Sequence, residues 1–138
     1  MAEIVLKRER LQSLRTRRTE LEGTRDRLND ELDRLRDARN SFLTELSDYG
    51  SLTSEVPRAL SSIDTSRFRG NNRSRKRDQL RIMRDHLESL RVRHQDNCDL
   101  VRAQIRTHED DLGTVRGRLN TVNLQITNLE NDIRSMMT

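Results

Sequence analysis

LRIMRDHLESLRVRHQDNCDLVRAQIRTHEDDLGTVRGRLNTVNLQITNLENDIRSM, residues 80–136, decides the fold. One row of residues recurs every seven positions, as Leu80, Leu87, His94, Val101, His108, Val115, Val122, Leu129 and Met136, with only the two histidines interrupting its apolar character. A second row runs three or four residues out of phase: Met83 and Leu90, then Cys98, Ile105, Leu112, Leu119, Ile126 and Ile133. Alternating gaps of three and four put both rows on one narrow stripe of a helix, the pattern of a chain that buries that stripe against other helices. The alternation slips once. Leu90 to His94 and His94 to Cys98 are consecutive gaps of four, a stutter that locally unwinds a supercoil and predicts a flattened seam or a change of partner there.

Working outward, the composition agrees. The 138 residues are 31% hydrophobic and only 2% aromatic, too little to fill a compact core, so the buried surface is expected to be a seam. Charged residues make up 36%, a level shared by coiled coils and disordered chains, and the heptads decide for the coiled coil. The net charge is +4, but carboxylates stand close to arginines along the chain, as Glu22 before Arg25, Asp30 before Arg34 and Glu88 before Arg91. Such pairs add about 0.2–0.5 kcal/mol each and keep an exposed face soluble. No apolar run approaches the roughly 18–20 residues of a membrane span, and residues 1–10 lack a signal-peptide core. The expectation is synthesis in the cytoplasm, with any export following a route that needs no cleaved leader.

Toward the N-terminus a first helix is predicted over 4–49. Leu14, Leu21, Leu28, Leu35, Phe42 and Tyr49 fall seven apart, with Ile4, Leu11, Leu32 and Leu46 on the companion row. Arg18, Arg25 and Arg39 also fall on that row, either fixing register with their stems over the stripe and their heads in water, or marking an unfilled partner contact. Gly50 is placed to end the helix in a left-handed cap. Residues 50–71 read as a linker, because Ser51, Thr53, Ser54, Pro57, Ser61, Ser62, Gly70 and Asn71 supply turn and cap chemistry, with a short helical turn allowed over 58–63. A second helix is predicted over 72–137. At 1.5 Å per residue the two helices differ by roughly 30 Å, leaving some 20 residues at the start of the second uncovered. The linker is expected to fold back there, setting Val56, Leu60, Ile63 and Phe68 on Leu80, Met83, Leu87 and Leu90. The fold class that follows is all-α: an elongated antiparallel two-helix coiled-coil hairpin with a folded-back linker, completed into a bundle by a partner.

Residues able to carry chemistry are sparse, and the chain reads as non-enzymatic and free of cofactors. His86, His94 and His108 are too widely spaced for a local metal site; 14 residues of helix separate the last two by roughly 21 Å. In a seam such residues fix register. Cys98, the single cysteine, excludes an internal disulfide and reads as a buried seam thiol or as a bridge between two chains. Gly113 and Gly117 mark either a close helix approach or a weak spot costing up to ~1 kcal/mol each. Arg73, Arg75, Lys76, Arg77, Arg81 and Arg84 concentrate positive charge at the start of the second helix, where it opposes the macrodipole. A solvated face, a docking surface for an acidic protein and a phosphate contact are all open, although no aromatic platform for bases accompanies the patch.

The segment Phe68-Arg69-Gly70-Asn71-Asn72-Arg73 between two amphipathic helices resembles the Trp-x-Gly turn of the small helical-hairpin proteins of type VII secretion. In layout nearly the whole chain is similar to the small coiled-coil proteins associated with LXG toxins, the YwqH-like group. The resemblance implies a partner protein that binds the helical N-terminal domain of an LXG toxin and helps present it to the secretion machine. Phe68 and Gly70 match the turn, with Phe in place of Trp. The Tyr-x-x-x-Asp/Glu export signal of many Trp-x-Gly proteins has no counterpart, since Thr53 follows Tyr49 at that spacing, which implies an adaptor whose partner supplies the signal. The expected partner surface is Phe68, Gly70, Arg73, Arg75, Lys76, Arg77, Leu80, Met83, Leu87 and Leu90, engaging a toxin domain or a second copy of the chain. A self-assembling structural scaffold and a basic nucleic-acid accessory are the alternatives.

Overall fold

The structure, a computed structural model, describes residues 2–65 and 70–138. Two helices account for almost all of them, α1 (Ala2–Thr65, 64 residues) and α2 (Asn71–Met137, 67 residues), and among the described residues there is no strand. The fold is an all-α helical hairpin.

α1 corrects the expected boundaries. It does not stop at Gly50 but runs through it and through Pro57 to Thr65, so 50–65 is helix and not linker. The reason is legible once Thr53 is admitted to the seam: Phe42, Leu46, Tyr49, Thr53, Val56, Leu60 and Ile63 continue the alternation of four and three without a break. The hydroxyls that signalled turns instead donate to carbonyls one turn back, Thr53 Oγ1 to Tyr49 O at 2.7 Å, Ser54 Oγ to Gly50 O at 2.9 Å and Ser51 Oγ to Ser47 O at 3.2 Å. Pro57 lacks the N–H that would reach the carbonyl of Thr53, a cost of ~3 kcal/mol in a helix interior. Its ring lies on the exposed face, while its neighbour Val56 is only 4% exposed. With α1 and α2 nearly equal in length, the helix itself does what the folded-back linker was expected to do.

Gly70 precedes α2 with φ at +66°, the left-handed region that glycine enters without strain. Its carbonyl accepts the first helical bond of α2 from Ser74 N at 3.3 Å. Phe68 lies outside the described residues.

The chain divides into two compact units. The first joins Met1–Arg34 to Ile105–Thr138 and holds most of the buried residues. Ile105, Leu112, Val115, Leu119, Val122, Ile126, Leu129 and Ile133 are all buried and belong to the two predicted rows of α2, of which His108 is half-buried and Met136 exposed here; Leu11, Leu28 and Leu32 of α1 join them. Leu11, Val122, Ile126, Leu129 and Ile133 form one cluster with Leu14 and Leu21 packed on it. Burying each such side chain stabilises by about 1.5–3 kcal/mol. Pairs at the rim run antiparallel: Lys7 with Asp132 at 3.7 Å, Arg15 with Glu130 at 3.1 Å, Glu31 with His108 at 2.7 Å. Arg18 and Arg25, the arginines on the α1 row, are half-buried and hold their heads against Glu22 and Asp26 of the same helix.

The second unit, Leu35–Gln104, uses the same pattern with less success. Among the described residues only Val56 and Cys98 are buried apolar residues there, while Leu35, Phe42, Leu46, Tyr49, Leu60, Ile63, Leu80, Leu87, Leu90 and Val101 are half-buried. The seam of this unit is half closed.

Candidate partner interface

The stutter residues occupy the second unit's best-packed region. His94 lies 5.0 Å from the ring of Tyr49 and 6.0 Å from that of Phe42, measured between ring centres, with Tyr49 Oη 3.4 Å from its Nε2. Glu45 Oε2 sits 3.0 Å from Nδ1 across the seam without hydrogen-bond alignment. One turn on, Cys98 is a free thiol with no exposed surface, which favours the seam-thiol reading over a bridge to another chain. The polar ring at 94 is therefore held against the aromatic rings of Phe42 and Tyr49 from α1.

Toward the start of α2 the covered side of the helix keeps to the first apolar row and leaves Met83 of the second outside it. Leu80, Leu87, Arg91, Cys98 and Arg102 share the covered side. Arg91 donates to both carboxylate oxygens of Glu88, Nε to Oε2 at 3.1 Å and Nη2 to Oε1 at 2.5 Å, and this hydrogen-bonded pairing holds the Glu88 carboxyl below the usual carboxylate range and raises the Arg91 guanidinium. Met83, on the second apolar row, is 53% exposed, and Ile82 beside it is 69% exposed. His86 is exposed as well. An apolar edge thus runs alongside the half-closed seam.

The expected partner residues separate under this geometry. Leu80, Leu87 and Leu90 are half-buried in the intramolecular seam. Arg73 and Arg77 are half-buried and engaged in contacts of their own. Arg75 and Lys76 are exposed, as are Arg81 and Arg84, the last leaning on Asp85 at 3.2 Å. Ile82 is the residue that sequence reasoning passed over. It lies seven positions after Arg75 and so shares its place on the helix, a signal that was present in the sequence but outside the two rows.

No family model, curated protein or solved structure matches the chain. Its chemistry has to be read from its own residues. Among the described residues no group of three His, Cys, Asp or Glu side chains is placed to hold a metal ion, and no helix is long and apolar enough to cross a membrane. A Cβ placed on Gly113 or Gly117 would meet nothing within 4 Å, so neither glycine serves a close helix approach within the chain. The first unit carries shallow grooves, such as that lined by Leu14, Arg17, Gly117 and Thr121.

Proposed function

We propose that the chain is a non-enzymatic helical adaptor that binds the helical N-terminal domain of an LXG-type toxin and helps present it for type VII secretion. The observation that carries the reading is the contrast between the two units. In one the heptad rows are closed by the chain's own helices; in the other the same kind of rows stay half-open, with Met83 53% exposed. A third helix laid there would stabilise at ~25 cal/mol per Å² of apolar area covered. In sequence, Leu80 to Leu90 follow shortly after the Phe68 to Arg73 segment on which the resemblance rests. The adaptor is made in the cytoplasm and leaves it only in its partner's company.

Co-expression with the toxin's helical N-terminal domain tests this. The expected result is a complex that stays together through size-exclusion chromatography, and its loss with Leu90→Glu while α-helical content is retained. A toxin domain that elutes separately from the wild-type chain ends the adaptor reading. If the chain alone forms higher-order assemblies that Leu90→Glu dissolves, the structural scaffold takes its place.

A further inference from the structure

The open edge of α2 carries information about what covers it. Met83 and His86 are exposed three positions apart, and Lys76 and Gln79, exposed as well, extend the row toward the turn, beside the side that α1 covers. Ile82, 69% exposed, widens it. Around these residues the exposed charges are Arg75, Lys76, Arg81 and Arg84, with Asp78 and Asp85 among them. Residues 72–90 hold six basic side chains, Arg73, Arg75, Lys76, Arg77, Arg81 and Arg84, against three acidic ones, Asp78, Asp85 and Glu88. Two of those carboxylates are occupied, Asp85 by Arg84 and Glu88 by Arg91. The edge therefore sets Ile82 and Met83 within a border whose charge is positive on balance, six basic side chains against three acidic ones.

That border decides between occupants. A second copy docking here through a two-fold axis would place the same stretch, with its excess of basic side chains, against itself. A helix with carboxylates beside its apolar stripe meets the opposite situation, and it offsets the positive charge that the start of α2 holds against its own macrodipole. We infer that the edge of α2 formed by Ile82, Met83 and His86 receives an amphipathic helix with acidic flanks, whose carboxylates face Arg75, Lys76 and Arg81. This rests on the adaptor reading for the partner's origin, but the chemistry of the docking helix follows from α2 alone.

The test uses the full chain and two labelled synthetic peptides, each a four-heptad amphipathic helix with Leu and Ile in its apolar rows, one flanked by Glu and the other by Lys. Fluorescence anisotropy is expected to show the Glu peptide binding at least roughly 10-fold more tightly than the Lys peptide, with affinity falling as salt rises. Ile82→Glu and, separately, Arg75→Glu with Lys76→Glu are each expected to weaken the Glu peptide by about 10-fold or more while melting like the wild type, because all three side chains are exposed. Met83→Gln provides a second apolar-edge variant, milder in charge. Equal binding of both peptides, or no effect of Ile82→Glu, overturns the inference. Duplex DNA that displaces the Glu peptide, with binding lost in the charge variant and kept in Ile82→Glu, overturns it in favour of a phosphate contact. A toxin domain bound equally by the wild type and Ile82→Glu refutes the docking edge and leaves the adaptor standing; Glu-peptide selectivity without toxin binding does the reverse.

Discussion

Leu32 and Met83 sit on equivalent apolar rows, and the account assigns them opposite weights. Leu32 in the first unit is 1% exposed, the most enclosed leucine of the chain, whereas Met83 in the second is 53% exposed. Leu32→Ala removes three carbons from a buried site, about 2.4 kcal/mol at ~0.8 kcal/mol per carbon, before any cavity cost. A seam between two helices is bordered by mobile side chains that partly refill a void, so the total belongs near the lower end of the ~2–5 kcal/mol range, at about 2–3 kcal/mol. Met83→Ala removes a side chain already half in water, and its cost is below ~1 kcal/mol. Urea unfolding followed by far-ultraviolet circular dichroism, at one protein concentration, measures both. The reasoning is refuted if Leu32→Ala lies within ~0.5 kcal/mol of the wild type, or if Met83→Ala costs as much as Leu32→Ala.

Further outcomes follow from the helices and the turn. Pro57→Ala restores the N–H that reaches the Thr53 carbonyl and stabilises by up to ~3 kcal/mol in urea unfolding, whereas a chain that turned at 50–57 would gain nothing. Gly113→Ala with Gly117→Ala raises stability by about 1–2 kcal/mol, because each added methyl points into open space; a loss would mean that another helix packs there. Gly70→Ala destabilises by about 1–2 kcal/mol, since alanine at φ +66° is strained. The Glu88 carboxyl titrates below the ordinary glutamate range by NMR and returns to it in Arg91→Gln. The sign follows from that direction: the folded state favours the carboxylate, so the pair contributes fully above the unfolded carboxyl's pKa and is lost as pH falls through the lower folded value.

Much of this fold is written in the heptads. The apolar residues of the rows from Ile105 to Ile133 are all buried, with His108 half-buried among them, because in a two-helix seam the period of the apolar stripe determines which side faces the partner. The end of α1 was hidden by a conflict between two local signals. Ser51, Thr53, Ser54 and Pro57 each favour a turn, while Tyr49, Thr53, Val56, Leu60 and Ile63 hold the seam. The seam won because back-bonding hydroxyls cost little and Val56 is buried, and a threonine in an apolar row made that row easy to miss. The candidate interface was legible in part. Its charges and Met83 stand out in the sequence, but the exposure of Ile82 depends on how α2 is rotated about its axis, and rotation is set by packing with α1, which spacing does not report.

Backbone hydrogen exchange, read with and without the toxin's helical N-terminal domain, addresses the half-open seam itself. In the free chain the amides of 2–34 and 105–138 should exchange far more slowly than those of 72–90, as expected where apolar cover is complete in one stretch and partial in the other. The account predicts that the toxin domain slows exchange in 72–90 and leaves 105–138 unchanged. Protection that appears in 105–138 instead, or a free chain in which both stretches exchange alike, would contradict it.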